Sequence, residues 1–341
     1  MKAIAIFNNK GGVGKTTLLC NLASYLKIRK NKRVLVIDAD PQCNASIYLM
    51  NPNLINDIYT ANSPNTIYNI IYPLRKGKDY VKEEEIPIMY SEGFDIDVIV
   101  GDTRFAVTED FLSADWLSGK SGDPRGLKTT FIFKDLLLKL KDKYDFVFFD
   151  VGPSLGAINR VVLLACDYFI IPMSSDIFSL KAVDNISESL LEWKKGVERG
   201  LRDYESNEKE KYTMNNNETT VKLEFLGYIN QQYTAKRKEG IIRPVKAYEN
   251  IIRKMPTTIN HRLIAFYPKN FETSGLLVGE IPTLNSLIPL SQSANKPIFK
   301  LTGNDGVVGA HFKKITEFES VIKQISINIQ NNIETYDKLA K

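Results

Sequence analysis

The sequence is poor in the residues that reactive centres most often use. Its 341 residues include three cysteines, Cys20, Cys43 and Cys166, and two histidines, His261 and His311. The cysteines stand far apart and in no metal-ligand spacing, which speaks against a disulfide framework or a zinc site and suits a reducing compartment. The isolated histidines belong to no Ser-His-Asp or Cys-His set and read as surface or packing residues. No apolar run approaches the ~18 residues of a spanning helix, and no signal-peptide pattern is visible, so a cytosolic protein is expected. What remains is ordinary for a globular chain, with 43% hydrophobic and 25% charged residues and ample length for a sizeable core. The formal charge of +5 is modest, but it is not evenly spread.

One stretch organises the rest: Asn8-Asn9-Lys10-Gly11-Gly12-Val13-Gly14-Lys15-Thr16-Thr17. The apolar run Ala3-Ile4-Ala5-Ile6-Phe7 precedes it, and an apolar-periodic run, Leu18, Leu19, Leu22, Ala23 and Leu26, follows it. Strand, glycine loop and helix in that order are the setting a phosphate-binding loop requires. Glycines let successive backbone N–H groups turn inward as an anion nest, and the helix N-terminus adds unpaired donors and partial positive charge. Gly11, Gly12, Val13, Gly14, Lys15, Thr16 and Thr17 would then cradle the phosphates, with Lys15 on the β/γ-phosphates and the Thr16 hydroxyl on Mg²⁺. The first glycine of the usual G-x-x-x-x-G-K-[ST] pattern is replaced by Asn9, and an extra lysine, Lys10, stands beside Gly11. Six specified positions at about 7% usage each give roughly 10⁻⁷ per starting point, so a chance glycine turn is set aside.

Two further apolar strands end in carboxylates. Arg33-Val34-Leu35-Val36-Ile37 runs into Asp38-Ala39-Asp40-Pro41-Gln42, and Phe146-Val147-Phe148-Phe149 into Asp150. Both have the composition of buried parallel strands, whose C-terminal ends face the ligand in open α/β sheets. The second has the shape of a Walker B strand, whose Asp150 would hold Mg²⁺ through water.

The loop K-G-G-x-G-K-[ST], here Lys10 to Thr16, resembles the deviant Walker A motif of the ParA/MinD group of ATPases, and the segments 38–46 and 144–156 resemble its switch I and Walker B patterns. The resemblance implies a doubly wound α/β domain with a mostly parallel sheet and helices on both faces. It implies ATP and Mg²⁺ as cofactors and an ATP-dependent homodimer in which Lys10 reaches the partner's phosphates. It gives Asp40 the preparation of the attacking water, Asp38 support of the Mg²⁺ shell, Asn230 or Gln231 the reading of adenine, and Pro282 the adenine wall. Gly152 stands where the family pattern has proline, which bears on the rigidity of that loop. ParA-type members bind DNA without sequence preference, are released by a ParB-like or other activating adaptor, and segregate plasmids, chromosomes or protein cargos. Two alternatives stay open: a MinD-like membrane-associated positioning ATPase, and a non-partitioning signalling or defence ATPase. An iron protein of the same group needs cluster cysteines soon after Asp150, and Cys166 has no suitable second cysteine. Lys2 begins directly at the first strand, so no operator-binding helix-turn-helix is expected ahead of it.

The remaining expectations are coarser. The chain is expected to form one P-loop domain, residues 1–341, with insertions near 113–128 and 196–256 and a C-terminal helix and tail over 312–341. Thr66 to Ile71 reads as a short surface helix, Ser113 to Arg125 as a loop or small insertion, Phe131 to Leu140 as a buried helix, and Tyr168 to Pro172 and Leu223 to Ile229 as strands. Asp176 suits the negative charge favoured at a helix N-terminus. Residues 196–222 read as a mobile loop or a charged helix end. Between Thr234 and Lys254 stand seven basic residues, Lys236, Arg237, Lys238, Arg243, Lys246, Arg253 and Lys254, against two acidic ones; without them, 38 basic and 38 acidic residues remain of the chain's 45 and 40. Such a stripe suits sequence-independent phosphate binding, or else is a solvated helix face beginning at Pro244. With the resemblance it points to non-specific DNA and a nucleoid-associated protein. The tail from Ser326 carries too few lysines and too many acids for a basic amphipathic membrane helix, so membrane binding is not expected.

Overall fold

The computed structural model describes the chain except residues 61–64, 175, 234, 239–240, 245, 285 and 341, and describes side chains except those of 232–250 and 252. Its strands are β1 (Lys2–Ile6), β2 (Val34–Asp38), β3 (Met89–Ser91), β4 (Ile96–Ile99), β5 (Phe146–Asp150), β6 (Tyr168–Ser174), β7 (Thr213–Met214), β8 (Asn217–Glu218), β9 (Glu224–Tyr233), β10 (Ala235–Lys238), β11 (Ile241–Pro244) and β12 (Leu277–Pro282). The helices are α1 (Lys15–Lys30), α2 (Asn44–Leu49), α3 (Pro52–Thr60), α4 (Tyr68–Arg75), α5 (Glu109–Gly119), α6 (Pro124–Thr130), α7 (Ile132–Leu140), α8 (Ala157–Ala165), α9 (Ile177–Glu208), α10 (Lys246–Leu263), α11 (Leu287–Ala294) and α12 (His311–Leu339).

Eight strands form one sheet in the order β12-β9-β6-β1-β5-β2-β4-β3. Every neighbouring pair is parallel except β3 with β4, which closes one edge antiparallel. The central strands β2 and β5 are buried throughout, as their unbroken apolar runs dictate for a sheet covered on both faces. Helices α1 and α12 pack against each other, and α7, α8 and α9 follow one another in a second helical layer. The expected doubly wound α/β architecture is the observed one. The connection from β1 leaves toward β2, while the one from β5 returns across β1 to β6. The crevice at the C-terminal end of β1 is therefore a topological switch point, where such sheets bind ligands.

Several local expectations are corrected. The helix expected around Thr66 forms, as α4 from Tyr68, but not on the surface: Thr66, Ile67, Ile70 and Ile71 are buried, and the Thr66 hydroxyl donates to Asp102 at 2.6 Å. Ser113 to Arg125 is no loop, because α5 and α6 occupy most of it and Asp123 caps α6 by accepting from the Gly126 amide at 2.8 Å. The glycines there serve close packing: a Cβ on Gly126 would fall 2.2 Å from the Gly119 nitrogen. From 196 the chain continues α9 to Glu208, the helix-end alternative, before the short β7–β8 hairpin. The tail is the second half of α12 rather than a separate segment. It uses its asparagines to satisfy carbonyls of the sheet and of the turn before β12: Asn332 donates to Leu226 and Gly275 at 2.8 and 2.9 Å, and Asn328 to Val278 at 2.9 Å. Tyr336 adds a bond to the Phe225 carbonyl at 2.6 Å. An Ile/Asn-rich face thus docks α12 on the β9–β12 side of the sheet.

Candidate active site

Strand register brings the acidic ends together. Asp150 of β5 lies level with Ile6 of β1 on one side and with Asp38 of β2 on the other. The loop leaving β1 therefore starts beside both carboxylates. Asn8 staples it down, donating to the Pro172 carbonyl of β6 at 2.7 Å and accepting from the Lys10 amide at 2.9 Å. Gly12 and Gly14 have φ of +73° and +75°, the left-handed region that costs a side chain about 1–2 kcal/mol. Gly14 is also the residue from which α1 starts. The loop, Asp40, Asn44, Ile47, Pro153 and Gln292 are among the residues that line a cavity of about 490 Å³.

Lys15 is buried and donates to the Lys10 carbonyl at 3.1 Å. Burial lowers its pKa against the pull of Asp150 and Asp40. The Thr16 hydroxyl donates to Asp150 Oδ2 at 2.7 Å, while Asp150 Oδ1 is buried with no hydrogen-bond partner. Asp38 Oδ2 accepts from both the amide and the hydroxyl of Ser46, each at 2.7 Å, and that hydroxyl oxygen accepts from the Gly101 amide at 2.7 Å. Burial raises the Asp38 carboxyl to about 7, helped by repulsion from Asp40 and resisted by the Ser46 bonds. Asp150 is raised too, first by burial and then by Asp38. Two crowded carboxylates, a free carboxylate oxygen and a threonine hydroxyl are a donor set suited to a hydrated divalent cation. Among the described residues no group of three or more His, Cys, Asp or Glu is arranged to hold a metal alone, so such a cation would rely on Thr16 and on the phosphates of its nucleotide.

Lys10 forms an ion pair with Asp176 within the same chain. The other oxygen of Asp176 caps α9, accepting from the Phe178 and Ser179 amides at 2.9 and 3.0 Å. Burial alone would raise the Asp176 pKa, but Lys10 and these amides hold it below the usual carboxylate value. The helix-start role expected of Asp176 is present, with an ion pair added.

The adenine candidates are less gathered. Gln231 Nε2 reaches the Gly14 carbonyl at 3.4 Å, and Asn230 Nδ2 reaches Glu280 at 3.2 Å. Asn230 and Gln231 lie inside β9 rather than after it, and Pro282 ends the neighbouring β12. None of the three lines the cavity. Sequence reasoning missed Asn8 and Ser46, although both lie inside motifs it singled out.

The basic stripe is a hairpin followed by a helix, not a helix begun at Pro244. Strands β10 and β11 pair antiparallel with Lys236 opposite Arg243, Pro244 ends β11, and α10 starts at Lys246. The side chains of Lys236, Arg237, Lys238, Arg243 and Lys246 lie outside the described residues, as do those of Val245, Tyr248 and Ile252. Arg253 and Lys254 are exposed on α10.

Site and topology define a P-loop nucleotide-binding protein with a second lysine upstream of the loop glycines. Comparison with known proteins agrees. The family model for the AAA domain matches residues 1–202. The solved structure of protein DIP2308 from Corynebacterium diphtheriae is 31% identical, with a TM-score of 0.71 over 86% of this chain and 97% of that one. An uncharacterized protein of Methanocaldococcus jannaschii is 27% identical over 306 residues, 89% of this chain and 93% of its own. The sporulation initiation inhibitor protein Soj of Bacillus subtilis is 30% identical over 185 residues, 54% of this chain and 63% of its own, so the match spans less than two thirds of that relative. The chain belongs to the ParA/MinD family of P-loop ATPases.

Proposed function

We propose that this protein is an ATP-driven DNA-partition switch whose closed state is a dimer bound to non-specific DNA. The observation that carries the hydrolytic part is that Lys15, Thr16 and Asp40 line a cavity of about 490 Å³ while Asp150 accepts from Thr16 and lies level with Asp38. Gly11 to Thr17 bind the phosphates through backbone amides, and Lys15 neutralises the charge that develops on transfer. Thr16, Asp38 and Asp150 would hold Mg²⁺, which would supply positive charge to offset that of the phosphates. Asp40 lines the cavity and orients the attacking water. Lys10 leaves Asp176 and crosses to the phosphates of a second copy, so closure and chemistry are coupled.

Asn230, Gln231 and Pro282 shape the base end. The basic hairpin and α10, with Lys236, Arg237, Lys238, Arg243, Lys246, Arg253 and Lys254, form the DNA surface. An adaptor of the ParB kind stimulates hydrolysis and opens the dimer, in a cytoplasmic, nucleoid-associated cycle that moves a plasmid, chromosome or protein cargo. We take the chain as one P-loop domain, with the segments near 113–128 and 196–256 inserted into it. Among the described residues no helix is long and apolar enough to cross a membrane.

The test is binding to random-sequence duplex DNA with ATP, ADP or no nucleotide across a salt series. Wild type is compared with Lys10→Ala and with a Lys236/Arg237/Lys238 triple alanine variant. Binding with ATP alone, lost in Lys10→Ala and with a salt slope lower by up to about 3 in the triple variant, is the expected result. ATPase activity without DNA binding in any state would overturn the DNA half of the proposal.

A further inference from the structure

The loop from Val151 to Gly156 joins Asp150 to α8 and brings Pro153 to the cavity wall, but no side chain of it has been given a part in the chemistry. Its position is nevertheless tightly set. Asn159, one turn into α8 and 1% exposed, turns its amide back on the loop. Its Nδ2 donates to the Gly152 carbonyl at 2.7 Å and to the Ser154 carbonyl at 2.6 Å. Gly152 in turn lies against Asp40: a Cβ built there would stand 3.2 Å from Asp40 Oδ1. The start of α8 has no cap of its own, since Gly156 precedes it. Glu109, from the first turn of α5, supplies one, accepting from the Ile158 amide at 3.0 Å and also from that of Ala157. A Cβ on Gly156 would fall 2.3 Å from Glu109 Oε1, so the glycine is what lets the carboxylate in.

We infer that Asn159 is a positioning residue for hydrolysis, holding Gly152 against Asp40 from a helix start that Glu109 anchors. The two short bonds of Nδ2 go to carbonyl oxygens, with the Ser154 hydroxyl farther off at 3.4 Å, so position 159 must present two N–H donors on one atom. Asparagine does so; aspartate, of nearly the same shape, would set a negative acceptor against two acceptors. Asn159 does not line the cavity and makes no hydrogen bond to the phosphate loop among the described residues. Its loss therefore leaves nucleotide binding in place and lets the water-orienting carboxylate drift. This inference rests on the proposed role of Asp40 in hydrolysis.

The experiment compares full-length wild type, Asn159→Asp and Asn159→Ala in two readouts. Amide hydrogen exchange over residues 151–156, without nucleotide, is expected to quicken at least tenfold in both variants. Steady-state kinetics are expected to show kcat reduced ten- to a hundredfold with KM for ATP within threefold of wild type. Unchanged exchange, unchanged kcat, or a KM that rises as steeply as kcat falls would overturn the inference. If neither variant folds, Glu109→Gln loosens the same loop from the other side and should move both readouts in the same direction by a smaller factor; no movement there overturns it equally. A wild-type chain that hydrolyses no ATP would instead overturn the functional proposal, and the nucleotide-free exchange tells the two failures apart.

Discussion

The proposed phosphate end and the proposed base end of the site are built by different means. At the proposed phosphate end stand backbone amides, two left-handed glycines and the buried Lys15, beside the buried carboxylates of Asp38, Asp40 and Asp150. At the base end, the candidate side chains are engaged with protein: Gln231 with the Gly14 carbonyl and Asn230 with Glu280. A binding surface made of backbone is fixed once the fold forms. One made of side chains on neighbouring strands must rearrange to meet its ligand. The phosphate end should therefore behave as a rigid site, and the base end as one that pays for its contacts on binding.

Substitutions can break or sharpen that contrast. The largest effect is expected at the rigid end: Lys15→Ala should lower ATP turnover by about 10³-fold or more, because a buried cation that stabilises transferring charge is lost. A fall below tenfold would contradict the assigned role. Next comes the carboxylate pair. In the nucleotide-free chain the Asp38 carboxyl, raised to about 7 by burial, binds a proton that the unfolded chain releases near pH 4. Its contribution to stability is full below about pH 4, declines as pH rises, and is gone above about 7. Asp38→Asn should abolish this component and stabilise the nucleotide-free protein at pH 8 by up to about 4 kcal/mol, while impairing Mg²⁺-dependent turnover. Thermal midpoints from pH 5 to 8 would check it; a wild-type midpoint that rises with pH in parallel with the variant's would contradict it.

Gly14→Ala meets two obstacles at once, the φ of +75° and a contact 2.2 Å from Gln231 Oε1. Nucleotide affinity should fall about tenfold from backbone strain. Adding Gln231→Ala removes the contact and should restore only part of it, since side chains yield and backbone does not. Full restoration would mean that the base end, not the loop, limits binding. The smallest effect is expected for Asp176→Asn. Its Oδ1 can still cap α9, and a half-exposed ion pair with Lys10 contributes about 0–1 kcal/mol, so stability should scarcely change. ATP-dependent self-association should strengthen a few-fold because Lys10 starts unpaired; weaker association would show that Asp176 helps place Lys10 rather than hold it back.

The same contrast explains what was legible in the sequence. A backbone site needs glycines and a lysine at fixed spacing, so Lys10 to Thr17 stood out from eight contiguous residues. Asp38, Asp40 and Asp150 were legible because each ends an apolar run that can only be a buried strand. Ser46, Asn8 and Asn159 were not, because a buried polar side chain answers to partners remote in the chain: Asn8 meets a carbonyl 164 residues away. The hairpin at 235–244 went unread, and the helix after it was placed two residues early, because Pro244 suits a helix start as well as a strand end. The tail was read apart from its helix because its asparagines look like a solvated segment until the carbonyls of β9 and β12 are brought to them.

The central claim is that Lys10 completes a second copy's site when ATP is bound. The most direct measurement is the molar mass in solution, by sedimentation or light scattering, of wild type and Lys10→Ala with Mg²⁺ and a non-hydrolysable ATP analogue. A dimer for wild type with the analogue, a monomer with ADP, and a nucleotide-bound monomer for Lys10→Ala is the predicted result. A monomeric wild type that has bound the analogue, or a dimer that Lys10→Ala leaves intact, would contradict it.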